Sequence, residues 1–350
     1  MLLFNLTSQL TTNLLRIAYI LIVLMGSLSC SDAPPKRVSL SGVTMGTTYS
    51  LVYFPDDRIS IEKSALQSQI NTRLVAINQI ASTYIANSEL SQLNRYTGEE
   101  AVLLSDDLYF LLQESIALND ITEGALDVTI GPLVNLWGFG PDKQPAQIPS
   151  EEQIVEARQR SGIDKLQLTP RGVIKAHPEL YVDLSTIAKG FAVDEIAAIF
   201  ESHHIHNYIV EIGGELRVKG VKELGNAWRI AIEKPISEEK SVQNIIEPGT
   251  NAVATSGDYR NFYEQDGRRY SHIINPKTGF PISHRLVSVT VFHSSCALAD
   301  GLATGFMVLG QDQGLTVANK HGIAALFIEK TIEGEFVESY STAMIPFIEK

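Results

Sequence analysis

The apolar rhythm of the chain changes partway along, and that change limits the fold more than any other feature. Early on, Leu66, Ile70, Leu74, Ile77 and Ile80 recur at three- and four-residue steps and share one helical face. Later, β-branched or aromatic runs bounded by turn residues take over, at 208–212, 228–232 and 286–292. No regular strand–helix alternation and no repeat of fixed period runs through the sequence. A doubly wound parallel sheet needs that alternation, so the pattern predicts an α+β fold with mainly antiparallel sheets and packed helices.

The remaining elements fit the same reading. A strand is predicted around 38–54, interrupted at Gly42 and Gly46. Ser105, followed by Asp106 and Asp107, opens a helix that ends at Gly124, and Ser150 with Gln153 makes a capping-box pattern for a helix towards Arg160. Further helices are predicted over 187–200, 297–309 and 313–320, with a buried strand at 323–328. No change of composition divides the chain after residue 37, so 38–350 reads as a single domain.

Residues 1–29 carry no acidic residue and one basic residue, Arg16, followed by the apolar run 17–25 and then Gly26-Ser27-Leu28-Ser29-Cys30. A positive charge, a short apolar core and small residues before a cut form a secretory signal peptide. Cysteine just after small residues resembles a bacterial lipoprotein signal, with Cys30 as the lipidated first residue. A non-cleaved signal anchor is the alternative. The run is shorter than the roughly 20 apolar residues of a comfortable membrane span. Residues 30–37 then read as a polar, Pro-containing linker.

The formal net charge of −12 argues against a nucleic-acid partner, which requires clustered Lys and Arg. Two cysteines, Cys30 and Cys296, cannot build a disulfide framework or a four-cysteine zinc site. His203, His204 and His206 match no zinc spacing and read as a solvated helix end. No Walker A sequence, no G-x-G-x-x-G and no G-x-S-x-G elbow is present.

Four segments hold more polar chemistry than a plain core requires. Thr44-Met45-Gly46-Thr47 is small enough for close approach by a ligand, or else a strand bulge. Gly124-Ala125-Leu126-Asp127-Val128-Thr129-Ile130-Gly131-Pro132-Leu133, running on to Trp137-Gly138-Phe139-Gly140, places a carboxylate in an apolar run, where it needs a partner or a role. Asp183-Leu184-Ser185-Thr186-Ile187-Ala188-Lys189-Gly190-Phe191-Ala192-Val193-Asp194 crowds an acid, two hydroxyls and a lysine onto a strand-to-helix junction, which suits a phosphate. A helix capped by Asp183 or Ser185 is the plainer reading of that junction. The last segment joins Thr255-Ser256-Gly257-Asp258-Tyr259-Arg260, Ser271-His272-Ile273-Ile274-Asn275-Pro276-Lys277-Thr278-Gly279 and Ala299-Asp300-Gly301-Leu302-Ala303-Thr304. Asp300 and Thr304 are four apart on a helix, so their oxygens share a side and suit Mg²⁺ better than zinc. His272 is a candidate general base.

In this order the segments resemble the ApbE family of flavin transferases (FAD:protein FMN transferases), over about residues 38–345. The resemblance rests most on 125–129, 183–190 and 271–279. It implies Mg²⁺-dependent transfer of FMN from FAD to a Ser/Thr hydroxyl of an acceptor protein, with release of AMP. It also implies FAD contacts at Met45, Tyr84, Ala125, Leu126, Asp127, Asp183, Lys189 and Ile274. By family position Asp300, Thr304 and the Thr186 carbonyl hold the Mg²⁺, with Ala303 where some relatives have a further acid. Members are typically lipid-anchored on the periplasmic side of the bacterial inner membrane. Their acceptors are subunits of Na⁺-translocating NADH:quinone reductase or Rnf-type complexes. Two other functions share these residues: an FAD pyrophosphatase giving FMN and AMP, and a non-catalytic FAD-binding lipoprotein. The latter needs no general base.

Overall fold

Met45 (φ 49°) and Gly46 (φ 71°) reverse the chain between strands β1 (Val38–Thr44) and β2 (Thr47–Tyr53). Positive φ at both central residues is what a two-residue hairpin turn requires, because it matches the twist of the strands. The predicted single strand over 38–54 is therefore corrected to a hairpin. Gly42 does not interrupt it and stays in register opposite Tyr49. The computed structural model describes residues 37–55, 61–140, 148–236, 241–258, 262–265 and 268–348. The leader over 1–29, Cys30, the linker up to residue 36, and residues 259–260 of the last polar segment lie outside the described residues.

The predicted helices form, several of them for a reason visible locally. Helix α1 (Lys63–Ala81) buries Leu66, Ile70, Leu74 and Ile77, while Ile80 is only half-buried and Ala81 completes the stripe. Each such Leu or Ile contributes about 1.5–3 kcal/mol on burial. After α2 (Glu89–Arg95) and the short strand β3 (Val102–Leu103), Ser105 caps α3 (Asp106–Ile121) by accepting from the Leu108 N–H. Helices α4 (Gly131–Leu136) and α5 (Glu151–Gln159) follow, the latter closed by the full Ser150/Gln153 capping box. Strands β4 (Leu166–Thr169) and β5 (Gly172–Lys175) pair with β3 in a small separate sheet, and α6 (Ala188–Ser202) comes next. His203 is the C-cap residue of α6, and its ring Nε2 lies 2.8 Å from Gln69 Oε1.

The rest of the chain supplies β6 (Tyr208–Ile212), β7 (Glu215–Lys219), β8 (Ile230–Glu233), β9 (Val242–Ile246), β10 (Ala252–Gly257), β11 (Phe262–Gln265), β12 (Arg268–Ser271) and β13 (Leu286–His293), of which β8–β9 and β11–β12 form two separate ribbons and the others join the main sheet. Then α7 (Cys296–Leu309), α8 (Gln311–His321), β14 (Ala324–Lys330) and β15 (Phe336–Tyr340) close it. The eight-stranded sheet runs β1-β2-β6-β7-β10-β13-β14-β15, and every neighbouring pair is antiparallel. The strand read at 228–232 begins at Ile230 and leaves this sheet to pair with β9. Trp228 instead packs beside Phe54 and Val218.

Both faces of the sheet are covered, and strand alternation sorts the side chains between them. Ala252 and Ala254 of β10, with Ala325 and Phe327 of β14, face the cluster made by α1, α3, α6 and α7. Val253, Ala324, Leu326 and Ile328 face a second cluster with Ile230, Ile232, Ile246 and Met344. Strands buried on both sides read as unbroken apolar runs, which explains the pattern at 323–328. Residues from Lys36 onward form one unit, and no described helix is long and apolar enough to cross a membrane.

Candidate active site

Helices α6 and α7 touch at Gly190. A Cβ there would fall 2.2 Å from the carbonyl oxygen of Cys296, so only a glycine allows the approach. The contact sets the start of α6 against Asp300 of α7. The N-cap of α6 is Ile187, with no side-chain cap, so neither Asp183 nor Ser185 caps the helix. The Gly190 N–H, a first-turn donor with no acceptor inside the helix, donates instead to Asp300 Oδ2 at 3.1 Å, which stands where a cap side chain would. A carboxylate at a helix N-terminus also suits the dipole.

Lys189 is held by two carboxylates, its Nζ 2.5 Å from Glu215 Oε1 and 3.9 Å from Asp300 Oδ1. Burial alone would lower its pKa, but the fields of Asp300 and Glu215 outweigh burial and raise it, so the ammonium stays charged. Asp300 is 3% exposed, and burial pushes its carboxyl up, against the pull of Lys189 and with the push of Glu215. Thr304, one turn along α7, has its Oγ1 3.0 Å from Ser256 Oγ of β10. Glu215, 4% exposed, went unmarked by the sequence reading. It starts β7 after the Gly213-Gly214 turn, whose φ values of 60° and 105° a side chain would resist. An acid directly after two glycines was the available signal.

The segment at 125–129 is tied to the 183–186 junction by the Asp183 N–H, which donates to the Val128 carbonyl at 2.7 Å. The Asp183 carboxylate accepts from the Ser185 N–H at 2.9 Å, and burial raises its pKa. Asp127 has its role inside the fold. Its Oδ1 accepts from the N–H (2.8 Å) and hydroxyl (2.6 Å) of Thr129, and its Oδ2 from the Ile163 N–H at 3.2 Å.

His272 sits on a loop fixed from below. The Asn275 side chain accepts from the N–H of Lys277 (2.9 Å) and of Thr278 (3.3 Å), and Trp137 Nε1–H donates to the Gly279 carbonyl at 2.8 Å. The His272 ring meets the edge of Phe139, centroids 6.2 Å apart, and Phe139 in turn stacks on Tyr263.

These groups line one cleft of about 460 Å³, the size of a small-molecule site. Tyr84, Ala125, Leu126, Asp127, Asp183, Lys189, Ile274, His272, Thr186, Asp300 and Thr304 all line it. Tyr84, 76% exposed, offers a ring face at its edge. Met45 does not line the cleft and lies in the β1–β2 turn. Phe139, Thr255 and Ser256, from the marked segments but without an assigned role, line it too, as does Glu215.

The donors fit a hard divalent cation. Among the described residues no three His, Cys, Asp or Glu side chains are grouped as metal ligands, so Asp300 would act with hydroxyl, carbonyl and substrate oxygens. Mg²⁺ is commonly bound in that way. Two buried side-chain oxygens in the cleft, Thr186 Oγ1 and Glu215 Oε2, have no hydrogen-bond partner.

The antiparallel α+β scaffold is shared with solved flavin transferases. The flavin transferase ApbE from Vibrio cholerae superposes with a TM-score of 0.84 at 51% identity, covering 90% of this chain and 100% of that one. The apo flavinyl transferase ApbE of Pseudomonas stutzeri gives 0.84 at 36% identity, covering 91% and 99%. The ApbE family profile matches residues 45–327. A Vibrio cholerae protein named FAD:protein FMN transferase is 51% identical over 319 residues, 91% of this chain and 95% of that protein. The chain belongs to the ApbE family.

Proposed function

We propose that the protein transfers FMN from FAD to a Ser/Thr hydroxyl of an acceptor protein. One observation carries the reading: apart from Met45, every described residue expected to contact FAD, hold the metal or act as base lines a single cleft. The acceptor oxygen forms a bond to the FMN-side phosphorus, the pyrophosphate P–O bond breaks, and AMP departs with the bridging oxygen. His272 takes the hydroxyl proton, and the Lys189 ammonium faces the pyrophosphate charge. Ala125, Leu126 and Ile274 supply apolar walls, and the Tyr84 ring a stacking face. Mg²⁺, held by Asp300, Thr304 and the Thr186 carbonyl, would neutralise charge on the pyrophosphate oxygens. Ala303, fully buried, adds no further acid to that set.

The same reading places the enzyme on the periplasmic side of the inner membrane, anchored by lipid at Cys30. Its acceptors would be subunits of Na⁺-translocating NADH:quinone reductase or Rnf-type complexes. The test incubates leaderless protein with FAD, Mg²⁺ and an acceptor fragment, then weighs the acceptor and measures AMP. An FMN mass increment with matching AMP is the expected result. AMP with unmodified acceptor would mean a pyrophosphatase, and neither product would mean a binding protein.

A further inference from the structure

We propose that Glu215 is a positioning residue that holds the Lys189 ammonium away from Asp300, and so keeps the Asp300 carboxylate open to a divalent cation. The proposal rests on the magnesium reading above. Its basis is an asymmetry: Lys189 Nζ lies 2.5 Å from Glu215 Oε1 but 3.9 Å from Asp300 Oδ1. Both carboxylates are buried, at 4% and 3% exposure. In such surroundings an ammonium pairs with whichever carboxylate it can reach, because Coulomb attraction rises as the local dielectric falls. Without the Glu215 charge, Asp300 is the remaining carboxylate within 4 Å of Nζ among the described residues, and a shift of roughly 1 Å would close a direct hydrogen bond. Asp300 Oδ2 already accepts from the Gly190 N–H, so an ammonium on Oδ1 would occupy the face a cation needs.

Glu215 is placed for this task by the sheet. It is paired with Ile212 across the Gly213-Gly214 turn, at the start of a strand flanked by β6 and β10. Its seat is therefore rigid, whereas Lys189 carries four rotatable carbons and needs a fixed partner. Glu215 Oε2 keeps no hydrogen-bond partner, so the carboxylate is not neutralised by other groups of the protein. The pair thus separates two jobs that one lysine beside Asp300 would confuse: anion attraction at Lys189 and cation binding at Asp300.

A double-mutant cycle on metal affinity separates this role from ligation or general field effects. Mn²⁺ binding to the folded leaderless protein is read by electron paramagnetic resonance, with and without FAD, for the parent, Glu215→Gln, Lys189→Met and the double variant. Glu215→Gln should weaken Mn²⁺ binding about tenfold when Lys189 is present and by less than about threefold in the Lys189→Met background, a coupling within the range of contacting residues. Equal losses in both backgrounds would overturn the proposal, because Glu215 would then act on the cation itself. No loss in either background would overturn it too. A parent that binds no Mn²⁺ even with FAD would remove the metal reading and this proposal with it, a result distinct from the other two.

Discussion

Gly190 and Cys296 are in direct backbone contact, with room for a hydrogen but not a carbon between them. That contact brings the start of α6 against Asp300, and the cleft is built on it. Gly190→Ala should therefore do two things. Overpacking costs about 1–3 kcal/mol of stability, seen as a lower midpoint in denaturant unfolding. Parting the helices also pulls the Gly190 N–H from Asp300, so flavinylation should fall further than stability does. A variant as active as the parent would mean the approach is not needed.

Trp137 is 1% exposed and its Nε1–H holds the Gly279 carbonyl beneath the His272 loop. Trp137→Phe keeps an aromatic ring against Tyr270 and Phe280 but leaves that carbonyl unpaired. The expected cost is about 1–3 kcal/mol of stability. Turnover should drop more than FAD affinity if the hydrogen bond steadies the loop that carries His272, the proposed base. Flavin fluorescence quenching gives the affinity and acceptor mass the rate. A loss confined to FAD affinity would count against this reading.

Loss of the proposed base is a sharper case. His272→Ala should lower the rate of FMN transfer by about 10²–10⁴-fold, the usual worth of general-base assistance. FAD should still bind, since the Lys189 charge and the apolar walls remain. Near-normal transfer by the variant would remove His272 from the mechanism.

How legible the molecule is from sequence depends on the range of the interaction. The α1 stripe, the Ser105 cap and the Ser150/Gln153 box are decided within a few residues, and all three are present. The motif segments stand out locally, but the FAD and metal roles of their residues come from the family resemblance. Glu215 could not be picked out, since its meaning arises from Lys189 on another element, 26 positions away (215 − 189). The α6 junction misled for the same reason: its missing cap is replaced by Asp300, which is remote in sequence. Asp127 was rightly marked as a carboxylate needing a partner, yet its partners Thr129 and Ile163 belong to the fold. The sheet order and the separate β8–β9 ribbon follow from long-range pairing, which apolar periodicity does not encode.

The entry to α7 is sensitive to acid. His293 Nδ1 accepts from the Ser295 N–H at 3.0 Å, and Ser295 caps α7 while donating to Asp194 Oδ2 at 2.8 Å. Burial lowers the His293 pKa from 6.5, and the carboxylates of Asp194 and Glu114 oppose that shift without reversing it. Between the folded and unfolded values the unfolded chain binds more protons, so stability rises with pH across that window and is lost as pH falls below 6.5. A protonated ring can no longer accept from Ser295, and the helix that carries Asp300 loses part of its anchorage. His293→Asn keeps an acceptor oxygen but cannot titrate. Unfolding midpoints taken from about pH 7.5 to about pH 5 should fall less for the variant than for the parent. Parallel profiles would assign the acid sensitivity to other groups.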